Sequence, residues 1–211
     1  DHYYDASNRY TIPYFWDVYG LGVDTKVVPQ EVAKRVGWGL VFNPLEVQGR
    51  IGMTEDRREI VLMAAHYLYN SIDDIDTPVR IAQIIQLLRL QKQWVEMYTD
   101  LRSTALIASG ACPVTVTIST DVIRVAQQHN AISFVLPDTG SFMIIDSFAI
   151  TKQSDKEDYA YQFLNYLYEA SILQKYADKY MLRTSHRAVR ASSIIDAIIP
   201  NKQLFSRLSF F

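Results

Sequence analysis

The sequence predicts an α/β fold with a mainly parallel or mixed sheet, because segments typical of strands alternate with segments typical of helices. Residues 113–119 alternate between apolar and polar side chains, as a half-buried strand does. Thr120 and Asp121 follow at once and are predicted to cap a helix over about 121–129. Another strand is expected at 131–136, so strands and helices succeed one another along the chain.

The N-terminal part is aromatic and rich in residues that favour strands. Residues 10–23 are predicted to form one long extended segment, whose two glycines permit a bend or a close approach of another backbone. Pro13 lacks an N–H donor, which favours an edge or a crossing position for this segment. A short helix is expected over 30–36, ended by Gly37.

Helices are predicted in the middle of the chain. Over about 56–69 the apolar residues recur with the spacing of one helix face. Thr77 and Pro78 have the residue types of an N-cap and a first helical position, so a second helix is expected from there to about Trp94 or Met97.

Further elements are predicted in the second half. We expect a third helix, or a continuation of the second, at 99–109 and an extended apolar segment at 141–150. Helices are expected at 155–169 and 171–180, and a short helix at 192–199. In the helix predicted at 155–169, four large side chains are predicted to form a core face: Tyr159, Phe163, Tyr166 and Leu167.

Composition excludes several classes of protein. The 211 residues are 49% hydrophobic with a formal net charge of −2, and no basic stripe is present, so nucleic acid is not an expected partner. No apolar run approaches the roughly 18 residues of a transmembrane helix, and residues 1–5 do not resemble a signal peptide. With Cys112 as the single cysteine, an internal disulfide is excluded.

Asp56 and Glu59 are the first candidate site residues. They lie three residues apart, so both fall on one face of the first turn of a predicted helix. One interpretation is a capping box, with Asp56 as the N-cap and Glu59 reaching back to it. The other is that the two acids face a cleft and bind a cation; both can hold if only one acid caps.

Asp146 is the third candidate acid, because it interrupts an apolar extended run where a charge is costly unless paired or open to a cleft. A solvent-facing strand position is the alternative. His66 follows Glu59 by seven residues, but the spacing is a weak match to a metal site. No serine or cysteine nucleophile motif, P-loop or dinucleotide fingerprint is present, so neither an enzyme nor a cofactor is expected.

The order of motifs resembles the spermidine/putrescine-binding proteins of ABC importers, within the type II periplasmic binding proteins. The matching stretches are Tyr10-Thr-Ile-Pro-Tyr-Phe-Trp16 with Gly20-Leu-Gly22, the spacing of Trp38, Pro44 and Gly49 before Gly52-Met-Thr-Glu-Asp-Arg-Arg-Glu59, Ala108-Ser-Gly110 before its strand, Phe134-Val-Leu-Pro137 with Gly140, and Ile145-Asp-Ser-Phe-Ala-Ile150.

The resemblance implies two α/β lobes with mixed sheets flanked by helices, which close on a ligand like a hinge. It implies a polyamine ligand, an ABC permease as partner and a periplasmic or extracytoplasmic location. By position, Asp56, Glu59 and Asp146 match acids that hold the ligand amines. Charge-assisted hydrogen bonds from ammonium groups to carboxylates are the physical basis of such a site.

Two positions depart from the family. Ile118 and Ile144 stand where the family usually has tryptophan, and each lost ring removes a contact of about 0.5–2 kcal/mol. Isoleucine can still contact ligand methylenes, and Trp16, Phe142 and Asp121 are candidates for compensation. These departures support an alternative function, a sensor or interaction domain with a different ligand or none. A metal-dependent hydrolase rests only on Asp56, Glu59 and His66.

The resemblance also predicts the domain organisation. Residues 17–144 are expected to form the second lobe, 1–16 and 145–190 a part of the first lobe with the crossing segments, and 191–211 a return to the second lobe. The chain is expected to lack the N-terminal part of the family fold and its extreme C-terminus. Apolar faces of the first lobe would then be uncovered.

Overall fold

The computed structural model describes residues 5, 7–43, 50–190 and 207–210. The chain forms two compact units. The first unit comprises Asp1–Asp17 and Met143–Pro200, and the second comprises Val18–Phe142 and Asn201–Phe211. That they correspond to the first and second lobes of the family stays a prediction. The helix expected at 192–199 lies outside the described residues, as do Pro44 and Gly49.

Strands and helices alternate along the described chain. The strands are β1 (Ile12–Asp24), β2 (Ile51–Met53), β3 (Val95–Tyr98), β4 (Val114–Ile118), β5 (Ile132–Val135), β6 (Ser141–Phe148), β7 (Arg183–Thr184) and β8 (Leu208–Phe210). The helices are α1 (Gln30–Val36), α2 (Gly39–Phe42), α3 (Arg57–Tyr69), α4 (Pro78–Gln91), α5 (Ser103–Ala108), α6 (Ser119–Ala126), α7 (Glu157–Leu167) and α8 (Ala170–Tyr180). In this described part, no helix is both long and apolar enough to cross a bilayer.

The sheet of the second unit is mixed, as predicted. Strand β2 pairs in parallel with β3 on one side and with β4 on the other. Strand β4 pairs antiparallel with β1, placing Tyr19 opposite Ile118, and the other edge of β1 pairs antiparallel with β5. The glycines of β1 permit this close packing: a Cβ at Gly22 would lie 2.9 Å from Oγ1 of Thr115.

The core of the second unit lies on both faces of this sheet. Its largest fully buried side chains include Trp38, Leu21 and Met63. The indole Nε1 of Trp38 donates a hydrogen bond of 3.0 Å to the carbonyl oxygen of Gly140, which satisfies its buried polar atom. Helix α1 has the predicted bounds and ends at Gly37, whose φ of +56° is accessible to glycine at little cost.

The predicted helix beginning at Thr77 is confirmed, but its end is wrong. The Thr77 side chain caps α4, which stops at Gln91 rather than at Trp94 or Met97. Residues 95–98 form the edge strand β3 instead, because they pair in parallel with β2. A helix does follow, but α5 covers only Ser103–Ala108 of the predicted 99–109.

The predicted cap of α6 is also wrong. The helix begins at Ser119 with Ile118 as its N-cap residue, and no side chain makes a capping hydrogen bond there. Thr120 and Asp121 therefore lie inside the first turn. Asp121 forms an ion pair with Arg124, three residues on along the same helix.

In the first unit, β7 pairs antiparallel with the beginning of β1. Helices α7 and α8 follow the predicted positions closely, but the predicted core face of α7 is wrong. Tyr159, Phe163 and Tyr166 are 71%, 57% and 52% exposed. The buried face of α7 is formed by Leu164 and Leu167, which are three residues apart, so of the predicted core face only Leu167 is buried.

Candidate functional site

The carboxyl ends of parallel strands β2, β3 and β4 meet at one edge of the sheet in the second unit. In α/β sheets this edge is where ligands bind, because loops and helix starts converge there. The chain places acids after each of the three strands: Asp56 and Glu59 after β2, Asp100 after β3 and Asp121 after β4.

Asp56 is the N-cap of α3. Its Oδ1 accepts hydrogen bonds from the backbone N–H groups of Arg58 at 2.8 Å and Glu59 at 3.2 Å. These bonds satisfy donors that a helix start otherwise leaves without an intrahelical partner. The other half of the expected capping box is not formed, because the N–H of Asp56 donates to Oγ1 of Thr54 at 3.3 Å. The capping interpretation is therefore correct for Asp56 alone.

Glu59 is half-buried and is held by two hydroxyl groups. Its Oε2 accepts a hydrogen bond of 2.9 Å from Oγ1 of Thr54, and its carboxylate also accepts one from the hydroxyl of Tyr19. Burial raises the pKa of Glu59, the two hydrogen bonds oppose this, and the nearby charges of Asp56 and Asp100 raise it further. A bound cation would offset both the cost of burying the negative charge of Glu59 and its repulsion by the two neighbouring acids.

Tyr19 and Asp100 were not among the sequence-predicted site residues. Tyr19 is buried on β1, and burial together with its hydrogen bond to Glu59 raises its pKa, so it stays a neutral donor. Asp100 is exposed two residues after the end of β3. Asp100 could have been identified from β3: once this strand is recognised, Asp100 follows its carboxyl end, at the edge where α/β sheets generally bind ligands.

Asp121 and Ile118 occupy the same edge at the end of β4. Asp121 lines an open groove of about 650 Å³ together with Asp100, Thr104 and Arg124. Because Arg124 pairs with its carboxylate, Asp121 already has a cationic partner within its own helix. Ile118 is half-buried opposite Tyr19. That either residue contacts a ligand stays a prediction.

The first unit carries its own pair of carboxylates. Asp146 is an exposed residue of β6, where atoms around its carboxyl group and the negative charge of Asp17 raise its pKa. Asp17 is buried on β1 and forms an ion pair with Arg183, in which Nη1 of the arginine lies 3.4 Å from Oδ1 of the aspartate. Cζ of Arg183 lies 5.1 Å from the centre of the Trp16 ring. Neither Asp17 nor Arg183 was identified from the sequence.

The sequence-predicted site residues therefore divide between the two units. Asp56, Glu59, Ile118 and Asp121 lie in the second unit, whereas Trp16, Ile144 and Asp146 lie in the first. Within the second unit the structure brings Asp56 and Glu59 together and adds Tyr19, Thr54 and Asp100. Ile144 is half-buried on β6, two residues before Asp146 and thus on the same strand face.

The metal alternative gains no support from His66. Its Nε2 lies 3.2 Å from the carbonyl oxygen of Thr139, and its ring packs edge-on against Phe142. Burial lowers its pKa, so the side chain is a neutral core histidine. Across the described ranges, no three histidine, cysteine or acidic side chains are grouped so that they could hold a metal ion.

Comparison with protein families gives one match over most of the chain. The model for the bacterial extracellular solute-binding proteins matches residues 3–199. This agrees with the resemblance that the sequence motifs indicated.

Curated relatives of this chain have named ligands. The putrescine-binding periplasmic protein SpuD of Pseudomonas aeruginosa is 24% identical over 191 residues, which cover 82% of this chain and 51% of that protein. The spermidine/putrescine-binding periplasmic protein of Escherichia coli is 24% identical over 188 residues, which cover 89% of this chain and 53% of that protein. The chain thus spans about half the length of these relatives.

Solved structures share the fold. A structure from Listeria monocytogenes described as a spermidine/putrescine ABC transporter superimposes with a TM-score of 0.86 at 20% identity, covering 99% of this chain and 65% of that one. The predicted type II periplasmic-binding-protein-like α/β fold is thereby confirmed.

Proposed function

Because the chain belongs to the bacterial extracellular solute-binding proteins, we propose that it binds a polyamine of the spermidine/putrescine class and that the protein delivers this ligand to the permease of an ABC importer. The family consists of solute-binding proteins rather than enzymes. We further propose a periplasmic or other extracytoplasmic location, as the names of the curated relatives suggest for those proteins.

The main support for this proposal is the environment of the Glu59 carboxylate. Thr54 and Tyr19 fix its carboxylate, and Asp56 and Asp100 add negative charge close by. A half-buried carboxylate among other acids is destabilised unless a cation compensates it. A protonated amine supplies both the charge and N–H donors, and charge-assisted bonds of this kind are the strongest hydrogen bonds of protein sites.

Asp146 is the proposed amine-binding acid of the first unit. Its position directly after four consecutive apolar residues of β6, together with its raised pKa, is typical of a carboxylate that a ligand cation stabilises. Ile144 on the same strand face would contact the methylenes between ligand amines. Because isoleucine offers no ring face to an ammonium group, we expect weaker binding than a tryptophan at this position would give.

A second candidate is a sensor or interaction domain that uses the same fold for another ligand or for none. Two observations favour it: Ile118 and Ile144 lack the rings that the family usually has, and Arg183 already places a cation beside Asp17. A ligand with a carboxylate would suit a site that contains an arginine better than a pure polyamine would.

A ligand panel separates these functions. The natural full-length protein is titrated calorimetrically with putrescine, cadaverine, spermidine and spermine, and with γ-aminobutyrate and a neutral sugar as non-polyamine probes. We expect binding to polyamines alone, abolished or strongly weakened by Asp146→Asn. The matched control is Asp155→Asn, which changes an exposed acid of the same unit. Binding of a non-polyamine alone would favour the second candidate and contradict the first.

A further inference from the structure

Arg183 is a buried cation in the first unit. Arg183 is 3% exposed, and its ion-pair partner Asp17 is 6% exposed. Nη1 of Arg183 lies 3.4 Å from Oδ1 of Asp17, and its Cζ lies 5.1 Å from the centre of the Trp16 ring. The antiparallel pairing of β7 with β1 places Arg183 directly opposite Trp16, so the backbone itself fixes this arrangement.

A carboxylate and an aromatic ring are the two groups that best receive an ammonium ion. The carboxylate supplies charge and hydrogen-bond acceptors, and the ring face attracts a cation within about 6 Å of its centre. In this chain both groups are engaged by the guanidinium of Arg183. The arginine therefore makes the contacts that an ammonium group of a ligand would make at the same place.

Resting on the proposed function, we infer that Arg183 is a built-in cation that occupies an ammonium position and so determines how many ligand amines the first unit accepts. Because Arg183 neutralises Asp17, Asp146 is the one of these two acids that remains to bind a ligand amine. The chain then favours diamines such as putrescine over triamines such as spermidine, because the third ammonium lacks the carboxylate that Arg183 holds.

The positions of the two acids on neighbouring strands support this inference. Asp17 lies on β1 and Asp146 on β6, and these strands are adjacent in the sheet. In agreement with this, burial first and the negative charge of Asp17 second raise the pKa of Asp146. A cation placed at Asp17 is then close enough to repel a second cation at Asp146. Replacing the arginine by a neutral side chain removes this repulsion and frees Asp17 for an additional ligand amine.

The test compares the dissociation constants of putrescine and spermidine in the natural full-length protein and in Arg183→Gln. We expect the preference for spermidine over putrescine to rise at least tenfold in Arg183→Gln. Arg183→Lys keeps the charge and should keep the original preference. Arg187→Gln changes an exposed arginine four residues further along and is the matched control.

A double variant guards against loss of folding, since Arg183→Gln leaves Asp17 buried without its guanidinium. Asp17→Asn with Arg183→Gln removes both charges, and we expect it to fold and to lack the spermidine gain. If both ligands bind the unaltered protein but the preference for spermidine rises less than tenfold in Arg183→Gln, or rises equally in the double variant, the inference is wrong. If no polyamine binds any of these proteins, the proposed function fails as well.

Discussion

Glu59 of the second unit and Asp17 of the first unit are held in different ways. In the second unit, neutral hydroxyl groups of Thr54 and Tyr19 hold Glu59, so its negative charge persists and other acids lie nearby. In the first unit, Asp17 is paired with the cation of Arg183. From this difference we propose that an amine site requires carboxylates whose charge the protein itself does not compensate, and not acidic residues alone.

Breaking the buried ion pair of the first unit should have the largest effect. Arg183→Met leaves Asp17 as a buried charge without its guanidinium, so we expect the free energy of unfolding to fall by about 3–5 kcal/mol. The Asp121–Arg124 pair of the second unit is more exposed, and Arg124→Met should cost about 1 kcal/mol or less. Urea denaturation of both variants measures the difference. Equal losses would show that burial does not distinguish the two pairs.

The two roles proposed for Asp56 can be separated by two substitutions. Asparagine caps a helix about as well as aspartate, whereas alanine loses about 1 kcal/mol of stability. We therefore expect Asp56→Ala to lower the free energy of unfolding by about 1 kcal/mol and Asp56→Asn to leave it nearly unchanged. Both should weaken putrescine binding, since both remove the charge. If Asp56→Asn binds putrescine normally, Asp56 is a cap and nothing more.

Restoring an aromatic ring should strengthen binding modestly. Ile118→Trp in the second unit and Ile144→Trp in the first each add a ring face, worth about 0.5–1 kcal/mol or two- to fivefold in affinity. We expect the larger gain at Ile118, because the first unit already contains the cation of Arg183. Calorimetry with putrescine measures both. A larger gain at Ile144 would mean that Arg183 does not oppose ligand amines.

The smallest effect concerns pH. The pKa of Glu59 is raised above its ordinary value of 4.5, so folding favours the protonated form. The stability that this contributes is fully present below the unfolded pKa and is lost as the pH rises through the folded pKa. The protein should therefore gain stability relative to Glu59→Gln on acidification through this window. Thermal unfolding at several pH values tests this; a constant difference between the two proteins would contradict it.

Local sequence signals identified much of the fold. Pro29 and Gly37 bracket α1, and Thr77 with Pro78 begins α4, because capping depends on nearby residues. The edge strand β3 was missed since its residues continue an apolar helical pattern, and only pairing with β2 makes them a strand. The aromatic residues of α7 were assigned to the core because periodicity does not show which face another element covers.

The residues of the candidate site likewise fall into those that the local sequence identifies and those that only the fold brings together. Asp56 and Glu59 could be found from their spacing, which is a local property of one helix turn. Asp17 and Arg183 are 166 residues apart in the sequence, and only the pairing of β7 with β1 brings them together. Tyr19 reaches Glu59 because β1 and the start of α3 converge at one sheet edge, which no single stretch of sequence reveals.

Calorimetric titration of putrescine into the natural full-length protein and its Glu59→Gln variant, at low and moderate salt, tests most directly whether Glu59 binds a ligand amine. Glu55→Gln, which changes an exposed acid four residues earlier, is the matched control. A charge-assisted hydrogen bond contributes about 1.5–3 kcal/mol, so we expect Glu59→Gln to weaken binding about 10- to 100-fold and Glu55→Gln to leave it unchanged. Unaltered affinity in Glu59→Gln would contradict the claim that this carboxylate holds a ligand amine.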